Sequence, residues 1–203
     1  MMADLVAGAA RVLCGCHARW MEPPPSPGPR VFYANHTSHL DAPLIWAALP
    51  RDVRRRCRIV AAADYWRAGA LRRWLARDCF RAVLIERQRV NRANNPLAGM
   101  LAALDAGDAL VIFPEGTRQA RGGVGTFRGG LWHLARRRPD LPLTPVWLEN
   151  LSRVLPKGEW LPVPLLTAVT FGPTLRYDSG QTRPEFMTLL RERLLACART
   201  ADE

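Results

Sequence analysis

Lysine is nearly missing from this chain: among 29 Lys and Arg residues, Lys157 is the single lysine. No apolar run reaches the roughly 18 residues that cross a bilayer, and the mildly apolar stretch 4–16 is interrupted by Asp4 and Arg11. A charged-then-apolar leader ending in a cleavage site is missing too. The expectation is therefore a protein neither secreted nor integral to a membrane. The five cysteines, Cys14, Cys16, Cys57, Cys79 and Cys197, are odd in number and scattered. That excludes a complete disulfide framework and paired CxxC zinc spacing, and it points to reduced thiols in a cytosolic setting. There is no internal repeat. Helix-turn-helix patterning, zinc-finger spacing and an aromatic strand motif for stacking bases are all lacking, so nucleic acid is not the expected partner despite the charge.

What the chain does have is a net charge of +11, carried almost wholly by arginine. Guanidinium forks match phosphate and carboxylate oxygens two at a time. A charge of this size calls for an acidic partner. Arginines cluster at 51–58, 67–77, 87–92 and 136–138. Each basic residue beside an anionic leaflet contributes about 1 kcal/mol. The expected location is accordingly cytoplasmic and peripheral, on an anionic membrane surface at the inner face of the cell membrane. Residues 4–13 and Trp66, Trp74 or Trp160 would assist that contact. The same charge would attract an acidic carrier protein.

A length of 203 residues suits one domain with a real core. Residues 2–20 read as a short amphipathic helix. Pro23, Pro24, Pro25, Pro27, Gly28 and Pro29 follow as a stiff linker, so 1–29 is set apart from a domain at 30–203. Strands are expected at 31–34, 58–62, 80–86, 109–113, 143–148 and 166–171. Helices are expected at 38–49, 68–77, 96–106, 127–138 and from Thr182 to about Arg199, the last opened by a Thr182–Glu185 capping box. The alternation predicts an α/β fold: a single domain with a mixed, mostly parallel β-sheet flanked by helices. The stretch 148–164, rich in Leu, Trp and Pro, reads either as a membrane-facing or substrate-entry loop or as a packed connection.

Two segments fall where strands end, which is where open α/β sheets place their sites. In Asn35-His36-Thr37-Ser38-His39-Leu40-Asp41, an aspartate five positions after a histidine can fix the imidazole tautomer and stabilise the imidazolium formed on proton uptake. Ser38-x-x-Asp41 is equally a helix-capping pattern. His36 and His39 lack obvious third and fourth ligands, so no metal is expected. In Phe113-Pro114-Glu115-Gly116-Thr117-Arg118, Gly116 permits a tight turn, Thr117 offers a hydroxyl and Arg118 a charged fork, all suited to phosphate. The alternative is a plain turn with a Glu115–Arg118 surface pair.

Together, Asn-His-x-Ser-x-x-Asp and, some 70 residues later, Phe-Pro-Glu-Gly-Thr-Arg resemble the glycerolipid acyltransferase family that includes 1-acylglycerol-3-phosphate acyltransferases. Phe80 to Arg87, Phe127 to Ala135 and Leu143-Thr144-Pro145-Val146-Trp147 are similar to further blocks of that family. Asp78-Cys79 stands where the family carries a glycine before the phenylalanine. The resemblance implies that 30–203 is an acyltransferase domain and that His36 is a general base partnered by Asp41. It implies that Arg87, Glu115, Gly116, Thr117 and Arg118 hold a phosphorylated acceptor, and that Pro145 and Val146 shape the acyl-donor or acyl-chain side. The reaction implied moves an acyl group from acyl-CoA or acyl-carrier protein to 1-acylglycerol 3-phosphate, giving phosphatidate, with no metal or cofactor. Backbone amides at the start of the helix after His36 are candidate oxyanion donors. Acyltransfer to another lyso-lipid is the alternative within the class, and an inactive scaffold is a third reading.

Overall fold

The computed structural model describes residues 2–13, 15–86, 95–119, 123–149 and 167–199. Arg87, the arginine cluster 87–92 and nearly all of the stretch 148–164 lie outside the described residues. Helix α1 spans Met2–Leu13, and a strand, β1 (Cys16–Trp20), follows it. Then come β2 (Val31–Ala34), α2 (Asp41–Ala48), α3 (Arg51–Arg55), β3 (Cys57–Ala62), α4 (Ala63–Trp66), α5 (Ala70–Trp74), a π-helical turn (Leu75–Cys79) and β4 (Val83–Ile85). The remaining elements are α6 (Pro96–Asp105), β5 (Ala109–Ile112), α7 (Gly130–Arg137), β6 (Leu143–Leu148), β7 (Thr167–Phe171) and α8 (Arg183–Arg199).

The strands form one seven-stranded sheet in the order β1-β7-β6-β2-β5-β3-β4. All neighbours pair parallel except β6 and β7. This is the mixed, mostly parallel sheet that the alternating pattern predicts. Strand side chains alternate between two cores. On β2, Phe32 and Ala34 join the core formed with α2, while Val31 and Tyr33 join the core formed with α6, α7 and α8. On β5, Ala109 and Val111 face the first, and Leu110 and Ile112 the second. Helices therefore cover both faces, which is why these strands read as continuous apolar runs rather than as alternating ones. Helix α2 is buried almost all round, with Leu44, Ile45 and Ala47 at 0% exposure.

The structure departs from the sequence reading where a helix was expected over 2–20. Residues 16–20 instead extend β7 as a parallel partner, with Trp20 stacked on Phe171 at 3.8 Å between ring centroids. β-Propensity of the run is slight, so only the tertiary partner selects the strand. The helix expected over 68–77 is α5 followed by the π-helical turn, whose Phe80 N–H reaches back to Leu75 O at 2.9 Å. That turn seats Phe80, edge-on to Trp46 and Trp66, in the core. Arg81 then adopts φ +47, which interrupts extended backbone, so the strand expected from Phe80 begins only at Val83. The helix expected from Phe127 begins at Gly130, because the Arg128 N–H is held by Pro114 O at 2.8 Å. At α8, Glu185 accepts from both the Thr182 N–H (2.8 Å) and its hydroxyl (2.7 Å), fulfilling the side-chain half of the expected box.

Asn35 ties the end of β2 to the end of β6. Its side-chain amide donates to Leu148 O at 3.0 Å and accepts from the Leu148 N–H at 2.8 Å, with both residues buried. Among the described residues, no helix is long and apolar enough to cross a membrane. The tie yields a prediction: Asn35→Ala strands a buried N–H and a buried C=O, and should lower unfolding stability by about 2–4 kcal/mol, read from the midpoint and slope of a urea titration.

Candidate active site

The parallel strands β2, β5, β3 and β4 all end on the same side of the sheet, and the segments leaving them surround a cleft of about 450 Å³. His36 follows β2. Its imidazole lies against Phe113, with centroids 4.2 Å apart, and lines the cleft. Nδ1 of the ring is 2.7 Å from Asp41 Oδ2. That same oxygen accepts the Thr37 N–H at 2.6 Å and the Ser38 N–H at 2.9 Å. The Asp41 side chain is fully buried, the His36 side chain 17% exposed.

This geometry joins the two readings of the motif. Asp41 is the first residue of α2, at its positive end. No side chain caps that helix; Ser38 Oγ accepts from the Leu40 N–H at 3.3 Å instead. The Asp41 carboxylate closes the 36–41 turn, and by closing it fixes the ring. Three of the candidate oxyanion donors are already engaged: the Thr37 and Ser38 amides are given to Asp41 and the Leu40 amide to Ser38.

The second segment is stitched to the first. Glu115, 2% exposed, accepts the His36 N–H on Oε1 at 2.9 Å and the Gly125 N–H on Oε2 at 2.8 Å. The Gln119 N–H donates to His36 O at 2.9 Å. Glu115 thus engages backbone amides rather than forming a surface pair with Arg118. It sits behind the cleft wall, while Gly116, Thr117 and Arg118 line it. Gly116 has φ +69, and a Cβ built there would lie 2.7 Å from Arg128 Nε. Glycine is needed for the turn and for the arginine that crosses it.

Arg128 is the residue that sequence reading missed. It was assigned to a helix, yet the structure places it ahead of α7, in the cleft with Arg118. The available signal was the Gly129-Gly130 pair that delays the helix. Among the described residues, neither guanidinium makes a hydrogen bond or ion pair with a protein group. Most other arginines do, for example Arg58 with Asp108 at 2.6 Å and Arg54 with Asp4 at 2.8 Å. His39 also lines the cleft, stacked on Tyr65 at 4.7 Å. Burial first, then the charge of Arg118, lowers the pKa of its imidazole. Pro145 and Val146 lie elsewhere: both are buried in β6, opposite Tyr33 and Ala34 of β2, and neither lines the cleft. Among the described residues, no group of three or more His, Cys, Asp or Glu could hold a metal ion.

The family model described as Acyltransferase matches residues 18–149. The chain is similar to the 1-acyl-sn-glycerol-3-phosphate acyltransferase alpha of Homo sapiens, at 33% identity over 139 residues, covering 67% of this chain and 46% of the relative. The Bos taurus protein of the same name is 33% identical over 139 residues, with 45% of it covered. The chain thus spans about half the length of the curated relatives it matches. Its fold is similar to that of the 1-acyl-sn-glycerophosphate (LPA) acyltransferase PlsC from Thermotoga maritima, with a TM-score of 0.80 at 20% identity, covering 100% of this chain and 79% of that one. The matched region 18–149 contains both stitched turns and the cleft between them, and the chain belongs to the acyltransferase family.

Proposed function

We propose that this protein transfers an acyl group from acyl-CoA or acyl-carrier protein to the free hydroxyl of 1-acylglycerol 3-phosphate, giving phosphatidate for phospholipid biosynthesis. One observation carries the reading: a His–Asp pair at 2.7 Å opens onto the same cleft as two guanidinium groups unpartnered among the described residues. The pair suits hydroxyl activation, and the two forks suit a phosphate dianion.

The Nδ1–H tautomer donates to Asp41 and leaves the Nε2 lone pair for the acceptor. His36 Nε2 takes the hydroxyl proton as the oxygen attacks the thioester carbonyl. The tetrahedral intermediate collapses with cleavage of the C–S bond, and the proton passes to the departing thiolate. Asp41 stabilises the imidazolium between those steps. A thioester is already activated, so the reaction as proposed calls on no metal, prosthetic group or acyl-enzyme. Arg118 and Arg128, with the Thr117 hydroxyl and the Gly116 turn, hold the phosphate. Glu115 acts as a positioning residue by fixing the His36 backbone. Arg87 is proposed for the phosphate side, and Pro145 and Val146 support the donor side from within the sheet.

Purified protein given labelled lysophosphatidate and either thioester should form phosphatidate; no product with either donor would overturn the proposal. His36→Ala should lower kcat by about 10²–10⁴ with the fold retained by circular dichroism. Asp41→Asn should also lower kcat, because the amide oxygen that keeps the Thr37 and Ser38 N–H groups carries no charge to stabilise the imidazolium. Arg118→Ala and Arg128→Ala should each raise the acceptor KM about 10–100-fold with kcat little changed, while a monoacylglycerol lacking the phosphate is acylated at unaltered rates. Gly116→Ala should reproduce the Arg128→Ala defect in acceptor KM, since its methyl would displace that guanidinium.

A further inference from the structure

A second groove, of about 510 Å³, lies beside the catalytic cleft and shares one wall with it. The shared wall is Trp66. Trp74 and Leu84 add to an apolar floor, and Arg67, Arg73 and Arg77 stand around it. All three arginines are exposed. Arg67 is paired with Glu86 at 2.7 Å and Arg77 with Asp78 at 3.0 Å; Arg73 has no ion-pair partner among the described residues. On the same short helix, α5, Leu71 is 68% exposed, and on the edge strand β4 Leu84 is 38% exposed. Buried leucine is the rule in this protein, so two exposed leucines beside half-buried tryptophans and a basic rim mark this surface as built to be covered.

We infer that this α4–α5–β4 face docks on an anionic lipid bilayer, with Leu71 and the tryptophans in the interfacial region and Arg67, Arg73 and Arg77 against lipid phosphates. Charge complementarity chooses the occupant. Tryptophan at the head-group level, leucine below it and arginine on the phosphates is the layering an interface imposes. The adjoining position gives the contact a purpose: a lysolipid leaving the bilayer passes Trp66 directly into the cleft that holds His36. The inference rests on the lipid-acylating function proposed above, and it names the membrane-facing surface for it.

The test compares the wild-type chain with the double variant L71D/R73E, whose residues lie outside the catalytic cleft and are exposed, so the fold should persist. Partition is measured by sedimentation with phosphatidylcholine vesicles, with and without phosphatidylglycerol. Activity is measured on a short-chain lysophosphatidate below its micelle concentration. The wild type should bind the anionic vesicles, and the double variant should bind them at least about tenfold more weakly, with activity on the monomeric acceptor unchanged. Unchanged vesicle binding by a folded double variant would overturn the docking surface while leaving the enzymatic reading intact. Loss of acylation from an acyl-carrier-protein donor alone, with vesicle binding unchanged, would reassign the groove to the carrier protein and overturn the bilayer. Absence of activity in the wild type, with vesicle binding still sensitive to the substitutions, would sink the enzymatic reading and leave the surface standing.

Discussion

One carboxylate oxygen organises the site. Asp41 Oδ2 takes hydrogen bonds from the Thr37 and Ser38 amides and from His36 Nδ1 inside a fully buried position. A buried carboxylate needs such donors, since an unpaired charge there would cost several kcal/mol. The protein meets that need with the turn that carries the histidine. The ring can neither rotate away nor change tautomer without breaking the arrangement that makes Asp41 tolerable in the core. Because Asp41 opens α2, whose remaining surface is almost entirely buried, the catalytic geometry is anchored to the best-packed helix of the first core.

Glu115 repeats the principle on the adjoining strand. Both of its oxygens are spent on backbone amides, one of them that of His36. The two motifs are 79 residues apart at that contact and meet because β2 and β5 are parallel neighbours. The site is a pair of loops, one closed on itself by Asp41 and clamped to the other by Glu115 and the Gln119 amide, with Arg118 and Arg128 facing the cleft. Asp4, Asp108, Glu86 and Asp78 neutralise arginines elsewhere, whereas Arg118 and Arg128 are held without acidic partners among the described residues. Two uncompensated guanidinium groups therefore face the cleft where a phosphate would enter.

Much of the fold was legible in the sequence. The apolar runs at 31–34, 109–112 and 143–148 are strands because helices cover both sheet faces, and a parallel sheet leaves that signature. Punctuation was reliable wherever a local device set the end: Asn95 and Pro96 opening α6, Gly107 closing it at φ +79, Thr182 and Glu185 opening α8. It failed where the deciding partner is distant. Residues 16–20 are a strand only because β7 offers an edge, and Phe127 and Arg128 stay outside α7 because Pro114 O claims the Arg128 amide.

The sequence by itself determined the chemical parts and their order: a histidine with an aspartate five positions on, a glycine turn with an arginine two positions on, and strands ending just before each. Short-range spacing carries that information because turn and capping geometry span only a few residues. Tertiary structure alone decided what the parts face. It turned Glu115 inward, left the Thr37, Ser38 and Leu40 amides to side chains, set Pro145 and Val146 inside the sheet and brought Arg128 over Gly116. Each of those outcomes depends on strand order and on contacts between residues far apart in the chain, and no local pattern encodes them.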